Sequence, residues 1–357
     1  MGKMETLVLK VDPYEPEMDK IKRAAGILRA GGLVAFPTET VYGLGANMLN
    51  KKAVERIYKV KRRPPEKKLS IHIADVASVE KFAAEIPQAA YKLIHRFWPG
   101  PLTIVLEAKD GGTVGFRFPR NQVAYEFLKE AGVPVVAPSA NISGEPPPKT
   151  ASEVLKDLDG SIDAILDGGK TALGLESTVV DLSQEYAHVV REGTITPHAI
   201  NKAIETKIVL FVCTGNTCRS VMASYLLRDK LKGREDIEVL SAGVSGIPSA
   251  GASAVVMDVM KKNGLDVSAH TNRLLTDELI KMADLILVME QVHKEKVIKK
   301  VPDAADKTYL LKEYAGVDIS KDPDGPDIPD PIGRPLEYNE HVFNLIKDLV
   351  NKIEKKI

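Results

Sequence analysis

Eight residues leave the second half of the chain little choice of fold: Cys213-Thr214-Gly215-Asn216-Thr217-Cys218-Arg219-Ser220. They follow an apolar run, Ile208-Val209-Leu210-Phe211-Val212, and precede a helical pattern carried by Met222, Tyr225 and Leu226. A strand must therefore pass through a tight loop into a helix. There the loop's backbone N–H groups and the helix N-terminus converge on one point, which suits an oxyanion such as a phosphate dianion. The same field, with Arg219 beside it, favours the thiolate of Cys213 and makes it a nucleophile near neutral pH. A lone cysteine in such a turn is usually structural. Glycine, asparagine, arginine and serine at these spacings point to chemistry instead.

At 357 residues the chain is long enough for two domains. Hydrophobic residues make up 44% and charged residues 27%, so each half can bury a core. A formal net charge of zero gives no bulk basic surplus for a nucleic acid. The first residues lack the basic-then-apolar pattern of a signal peptide, and no apolar run reaches membrane-spanning length. The two cysteines, Cys213 and Cys218, share one loop. That excludes a disulfide framework and makes the cytoplasm the expected compartment. It also leaves open a reversible pairing on oxidation that would shield the nucleophile.

The first half alternates strand-like and helix-like segments. Residues 33–36, 69–73, 102–106, 133–136 and 177–180 read as strands, and 52–60 as a helix with Val54, Ile57 and Tyr58 on one face. Loops rich in proline and glycine lie between them, at 98–101 and 143–148. The domain boundary is expected after residues 192–196, with a short helical linker over about 197–206, giving domains 1–200 and 207–357. The second half repeats strand and helix, which favours a parallel α/β sheet. It ends in an amphipathic helix through Val342, Leu345, Ile346, Leu349 and Ile353.

Displacement at phosphorus also needs an acid for the leaving group. No histidine lies near the cysteine loop in sequence. The candidate is Asp330, in Asp327-Ile328-Pro329-Asp330-Pro331-Ile332-Gly333, where the prolines stiffen the loop and bias Asp330 to an extended backbone. With Ser241-Ala242-Gly243 and the segment 284–289, these motifs make residues 207–357 resemble the low-molecular-weight protein tyrosine phosphatase family. The resemblance implies a flavodoxin-like parallel α/β domain and a two-step mechanism without metal. Cys213 would attack phosphorus, Arg219 would hold the equatorial oxygens, and Asp330 would protonate the leaving group and then activate water. Asn216 and Ser220 would hold the loop and tune the thiolate. Thr217 stands where tyrosine-directed members usually carry a bulky aliphatic residue, and it looks like the bacterial protein-arginine phosphatases. Ile332 replaces the aromatic residue that usually follows Asp-Pro. A phosphoprotein substrate is implied, with phosphoarginine ahead of phosphotyrosine.

In the first half, Pro37-Thr38-Glu39-Thr40-Val41-Tyr42-Gly43-Leu44 brings clustered hydroxyls to a glycine turn after a strand. Residues 51–68 hold nine basic side chains against Glu55 and Glu66. Within them Lys61-Arg62-Arg63-Pro64 marks a helix giving way to a loop, a place suited to a polyphosphate. Residues 137–144 offer hydroxyl, amide and backbone donors in a compact turn. No Walker-type loop occurs, so ATP would need another design.

These segments, with the Lys-x-Arg at Lys61 and Arg63, the Ser-x-Asn at Ser139 and Asn141, and Ser177-Thr178-Val179-Val180-Asp181, resemble the YrdC-like threonylcarbamoyl-AMP synthase family over about residues 10–200. The resemblance implies a twisted mixed α/β sheet around a large positively charged cavity. It implies a reaction joining L-threonine, bicarbonate and ATP into threonylcarbamoyl-adenylate and pyrophosphate. The product would pass to a separate transferase that modifies tRNA. Lys61, Arg63, Ser139, Asn141 and Arg191 would hold ATP, and Mg2+ would bridge its phosphates. Thr40, His72, Arg117 and Ser177 would hold threonine or its carbamate. His72, on an alternating strand, also reads as a half-buried core residue. Two departures from the family pattern, Arg62 where glycine is common and Lys68 where proline is common, would add positive charge near the nucleotide.

The chain thus reads as a bifunctional enzyme, a nucleotidyltransferase fused to a protein phosphatase. The rival is an RNA-binding YrdC-like module using residues 51–68, with a phospho-sensing C-terminal half. A steep loss of RNA affinity with salt would mark that rival.

Overall fold

The computed structural model describes residues 5–246, 250–322 and 325–357. The chain divides between Ile204 and Glu205 into two units.

The N-terminal unit runs β1 (Leu7–Lys10), α1 (Met18–Arg29), β2 (Val34–Phe36), β3 (Gly43–Asn47), α2 (Lys51–Lys61), β4 (Ser70–His72), α3 (Gln88–Phe97), β5 (Leu102–Glu107) and β6 (Thr113–Arg117). It continues with α4 (Gln122–Ala131), β7 (Val135–Val136), α5 (Ala151–Leu158), β8 (Ala164–Asp167), β9 (Thr178–Asp181), β10 (His188–Arg191) and α6 (Pro197–Glu205). The strands form one mixed sheet in the order β1-β8-β2-β3-β7-β4-β6-β5-β9-β10. Strand alternation feeds two cores. Leu33 and Ala35 enter one, Val34 and Phe36 the other, where they meet Ile21, Ala24 and Leu28 of α1 and Phe127 of α4. The α1 residues recur at helical spacing, which is what turns this segment into a covering layer.

Two local features differ from the sequence expectation. The helix read as a linker, α6, belongs to the N-terminal core: Ile200 is fully buried there, with Ala199, Ala203 and Ile204 packed against it. The strand expected over 133–136 shortens to Val135–Val136, because Pro134 has no N–H to give a ladder.

The C-terminal unit runs β11 (Lys207–Cys213), α7 (Arg219–Lys230), β12 (Ile237–Gly243), α8 (Ala254–Lys262), α9 (Asp277–Met282), β13 (Leu285–Val288), α10 (Gln291–Lys300), β14 (Thr308–Leu310), α11 (Leu311–Tyr314) and α12 (Leu336–Ile353). Its sheet is parallel throughout, in the order β12-β11-β13-β14. On one face Val209 and Phe211 pack with Met222 and Leu227 of α7, Val256 and Met260 of α8, and Val342, Ile346 and Leu349 of α12. Strand order reverses at β11, so the loop after it opens at the switch point, where open α/β sheets bind ligands. Among the described residues no helix is long and apolar enough to cross a membrane.

Candidate active sites

In the N-terminal unit a cavity of about 620 Å³ lies over five adjacent strands. Its floor follows from register. Arg117 pairs with His72 on one side and Thr103 on the other, and Thr103 pairs with Val179. The next row is Ser70, Gly115, Val105 and Asp181. Residues two apart on each strand thus face the same cavity. A bulge between Val189 and Arg191 shifts β10 so that Arg191 pairs with Val179 and joins the first row. Gly193 lies just beyond, where a Cβ would sit 2.2 Å from Glu176 O, so only glycine lets the chain pass under the cavity wall.

The lining is basic. Arg63, Lys67, Lys68, Arg117 and Arg191 face Glu176 and Asp181. Arg63 clamps its own loop, donating through Nε to Lys67 O at 3.0 Å and through Nη2 to Lys68 O at 2.8 Å. Lys68 donates to Thr113 O and Oγ1, both at 3.1 Å. Arg191 donates to Ser177 O and pairs with Glu176 at 2.8 Å. Arg117 is 6% exposed, and its Nη2 reaches Thr40 Oγ1 at 2.6 Å, Thr38 Oγ1 at 3.2 Å and Glu39 Oε1 at 3.1 Å. Ser177 Oγ lies 3.0 Å from Thr103 Oγ1. His72 is buried rather than half-buried, and burial and the Arg117 charge push its pKa down to about 3, so its imidazole is neutral.

Of the nine residues expected here, Arg63, His72, Arg117, Ser139, Ser177 and Arg191 line the cavity. Lys61, Asn141 and Thr40 stand behind it. The Lys61 ammonium is buried and donates to Ser139 O and Asn141 O, and Asn141 Nδ2 donates to Ile142 O and Glu145 O. These contacts hold the turn that presents Ser139. Burial pushes the Lys61 pKa down to about 8. Arg62 is not itself in the cavity lining, although its neighbour Arg63 is: it caps α2 in the left-handed conformation, φ +49°, which explains why glycine suits the position. Sequence reasoning passed over Thr103 and Glu39, whose roles depend on cross-strand register and on contact with Arg117.

In the C-terminal unit the loop 214–218 is held by its carbonyls. Thr214 O accepts from Ser245 N, Gly215 O from Asn272 Nδ2, and Thr217 O from Ser253 N. Asn216 O lies 2.8 Å from His270 Nε2. Carbonyls drawn outward turn the following N–H groups inward, since the two point opposite ways across a trans peptide. Asn216, at φ +56°, donates through Nδ2 to Ser220 Oγ at 3.0 Å and Ser241 Oγ at 2.9 Å. Gly243 lies beneath the loop, where a Cβ would sit 2.7 Å from Thr214 O.

The reacting groups meet over this cradle. Cys213 Sγ lies 2.9 Å from Ser220 Oγ and accepts from Asn216 N at 3.3 Å. Arg219, 1% exposed, donates through Nη2 to Asp330 Oδ2 at 2.6 Å and through Nη1 to Ile328 O at 2.8 Å, and pairs with Glu290 at 3.1 Å. The Asp330 loop is pinned by Ile328 N to Met289 O and by Asn339 Nδ2 to Pro331 O. Ile332 projects at 65% exposure. Thr217 is half-buried, its Oγ1 3.5 Å from Cys218 Sγ. Both cysteines are free, and burial pushes the Cys218 thiol up. All six expected residues converge. Glu290, His270 and His293 were missed: they join the loop through the fold, at sequence distances that carry no spacing signal.

A family model described as Sua5/YciO/YrdC, telomere recombination, matches residues 26–193, and one described as low molecular weight phosphotyrosine protein phosphatase matches residues 208–357. The threonylcarbamoyl-AMP synthase of Pyrococcus abyssi is 47% identical over 194 residues, 52% of this chain and 57% of that protein. The protein-arginine-phosphatase of Geobacillus stearothermophilus is 38% identical over 150 residues, 42% of this chain and 95% of that protein. The chain belongs to both families. The crystal structure of P. abyssi Sua5 complexed with L-threonine aligns at a TM-score of 0.54 and 29% identity, covering 85% of this chain and 99% of that one. The chain spans a little over half the length of the synthases of P. abyssi, Bacillus subtilis and Schizosaccharomyces pombe, 57%, 56% and 55%.

Proposed function

We propose that the N-terminal unit is an L-threonylcarbamoyladenylate synthase and the C-terminal unit a cysteine-dependent protein phosphatase. For the synthase, the observation that carries the reading is the row His72, Arg117, Thr103 and Arg191 beside a wall of Arg63, Lys67 and Lys68. The wall suits a triphosphate. Arg117, with the hydroxyls of Thr103 and Ser177, suits an amino-acid carboxylate and hydroxyl. Neutral His72 offers a hydrogen bond without adding charge. A relative named for this reaction and a related structure holding L-threonine support the assignment.

In the reaction, the threonine amine adds to bicarbonate with loss of water to give a carbamate. A carbamate oxygen then attacks the α-phosphorus of ATP, and pyrophosphate leaves. Positioning and charge neutralisation supply most of the catalysis. Lys61 and Asn141 act from behind by fixing the Ser139 turn, and Thr40 by steadying Arg117. No three His, Cys, Asp or Glu side chains among the described residues could together hold a metal. Glu176 and Asp181 suit an ion that arrives on the nucleotide; Mg2+ held there by phosphate oxygens would neutralise phosphate charge. The product is an activated acyl donor that a cytoplasmic tRNA-modifying transferase would consume.

In the phosphatase, Cys213 Sγ attacks phosphorus and Asp330 gives its proton to the departing oxygen or nitrogen. Water, deprotonated by Asp330, then cleaves the S–P bond and releases phosphate. Arg219 and the inward N–H groups hold the equatorial oxygens. The convergence of Cys213, Arg219 and Asp330 carries this reading. Thr217 and the likeness to a protein-arginine-phosphatase favour phosphoarginine over phosphotyrosine.

The test uses the full chain. Pyrophosphate release from ATP and bicarbonate is expected to require L-threonine, and phosphoarginine peptides to be hydrolysed faster than phosphotyrosine peptides. Cys213→Ser should abolish hydrolysis and leave pyrophosphate release intact. Threonine-independent ATP turnover would overturn the first assignment, and hydrolysis surviving in Cys213→Ser the second.

A further inference from the structure

His293 opens a question that the Cys-Arg-Asp chemistry does not answer. It sits on the first turns of α10, 1% exposed, remote in sequence from the phosphate loop. Its Nε2 lies 2.9 Å from Thr214 Oγ1 and 3.2 Å from Glu290 Oε2. Both neighbours touch Arg219. Glu290 Oε1 pairs with Nη1 at 3.1 Å, and Thr214 Oγ1 accepts from Nη2 at 3.4 Å.

A carboxylate oxygen beside Nε2 fixes the proton there, since two lone pairs would repel. His293 then donates towards Glu290 and Thr214, while its buried Nδ1 has no hydrogen-bond partner among the described residues. The surrounding charges agree. Burial, Arg219 and Lys296 push its pKa down to about 4, against the opposing pull of Asp327 and Asp330, so the ring is neutral at working pH.

Arg219 needs such bracing. Its Nε is buried without a hydrogen-bond partner, and one of its contacts cannot outlast the reaction. Asp330, now 2.6 Å from Nη2, must be released to serve as acid while Nη2 turns to the phosphoryl oxygens. What stays fixed is the other edge, held by Glu290 and Ile328 O. We propose that His293 is a positioning residue for the phosphatase arginine, bracing Glu290 and Thr214 so that Arg219 keeps the orientation that clasps phosphorus in the transition state. The proposal rests on the phosphatase reading above.

The test compares full-length wild type, His293→Leu and His293→Gln. The Gln amide N–H can reach as Nε2 does; Leu fills the space and donates nothing. Hydrolysis of p-nitrophenyl phosphate and calorimetric titration of orthovanadate, a mimic of five-coordinate phosphorus, are read together. His293→Leu is expected to lose about 10- to 100-fold in kcat and a similar factor in vanadate affinity, with KM little changed. His293→Gln should recover most of both. In a double-mutant cycle, Glu290→Gln should make the His293→Leu loss largely disappear. Equal losses in the Leu and Gln variants, or undiminished vanadate affinity in His293→Leu, would overturn the proposal alone. A wild type that neither hydrolyses phosphate esters or phosphoramidates nor binds vanadate would overturn the phosphatase reading and take the proposal with it.

Discussion

Arg62 is a charged residue whose position is decided by its backbone. At φ +49° it ends α2 in the left-handed region, which costs a side-chain-bearing residue about 1 kcal/mol or more. The expectation from the sequence is added positive charge near a nucleotide; the side chain is exposed, and it is its neighbour Arg63 that lines the cavity. Arg62→Gly should therefore stabilise the N-terminal unit by about 0.5–1 kcal/mol, the relief being partly offset by the freer unfolded chain. Trp98, the single tryptophan, packs against that unit's core and reports its urea midpoint by fluorescence. An unchanged or lower midpoint would count against the strain argument. Lys61, next door, makes the opposite case: its ammonium is buried and its pKa lies near 8. As pH rises from 7 to 9 it loses its proton and the turn that presents Ser139 loses a positive charge. In the proposed synthase, bound ATP would pull the pKa back up, so its dissociation constant should rise roughly three- to tenfold over that range. Lys61→Arg, which does not titrate there, should flatten the curve; a flat wild-type curve would remove Lys61 from nucleotide binding. At this scale Cys213, Arg219 and Asp330 were legible in the sequence, because a loop motif and a proline-flanked acid announce themselves. Glu290 and His293 were not, because only the fold brings the start of α10 to the loop after β11.

Elements show where reading by pattern succeeds and where it stops. Alternation located the strand within residues 69–73, which spans Ser70–His72, and apolar runs located β5 and β11, because burial on one or both faces leaves its mark on every second or every residue. It could not pair them. The row from His72 to Arg191 depends on β4 lying parallel to β6, β6 antiparallel to β5, and a bulge in β10. No local sequence states those registers. The helix α6 failed differently: its short apolar face looked like a linker, yet Ile200 is fully buried in the N-terminal core. Ile200→Ala should cost that unit about 2–4 kcal/mol, the usual toll of a buried aliphatic truncation. The drop should appear in the Trp98 urea transition. A change below about 0.5 kcal/mol would restore α6 to the status of a linker.

Across the whole molecule, the buried histidines should steepen the loss of stability in acid. His72 in the N-terminal unit has its pKa pushed down to about 3, His293 in the C-terminal unit to about 4, and His270, also in the C-terminal unit, is lowered by burial. All three depart downward from the ordinary 6.5, so between that value and the folded pKa the unfolded chain binds more protons than the native one. Their contribution is complete above about pH 6.5 and is lost as pH falls through the window below it. Each such group adds up to about 1.4 kcal/mol per pH unit to the slope. The C-terminal unit carries two of these groups and the N-terminal unit one. Acidification from pH 6.5 to 5 should therefore weaken the phosphatase unit more steeply, although its sheet is parallel and buried on both faces. Calorimetry over that range, with Trp98 fluorescence marking the transition of the N-terminal unit, separates the two. His293→Gln, which cannot titrate, should reduce the C-terminal slope by about one proton's worth and leave the N-terminal slope alone. Equal slopes in wild type, or a slope unmoved by His293→Gln, would mean that other groups govern the acid response. The expected result would tie the acid limit of the phosphatase unit to histidines that pack against its phosphate loop.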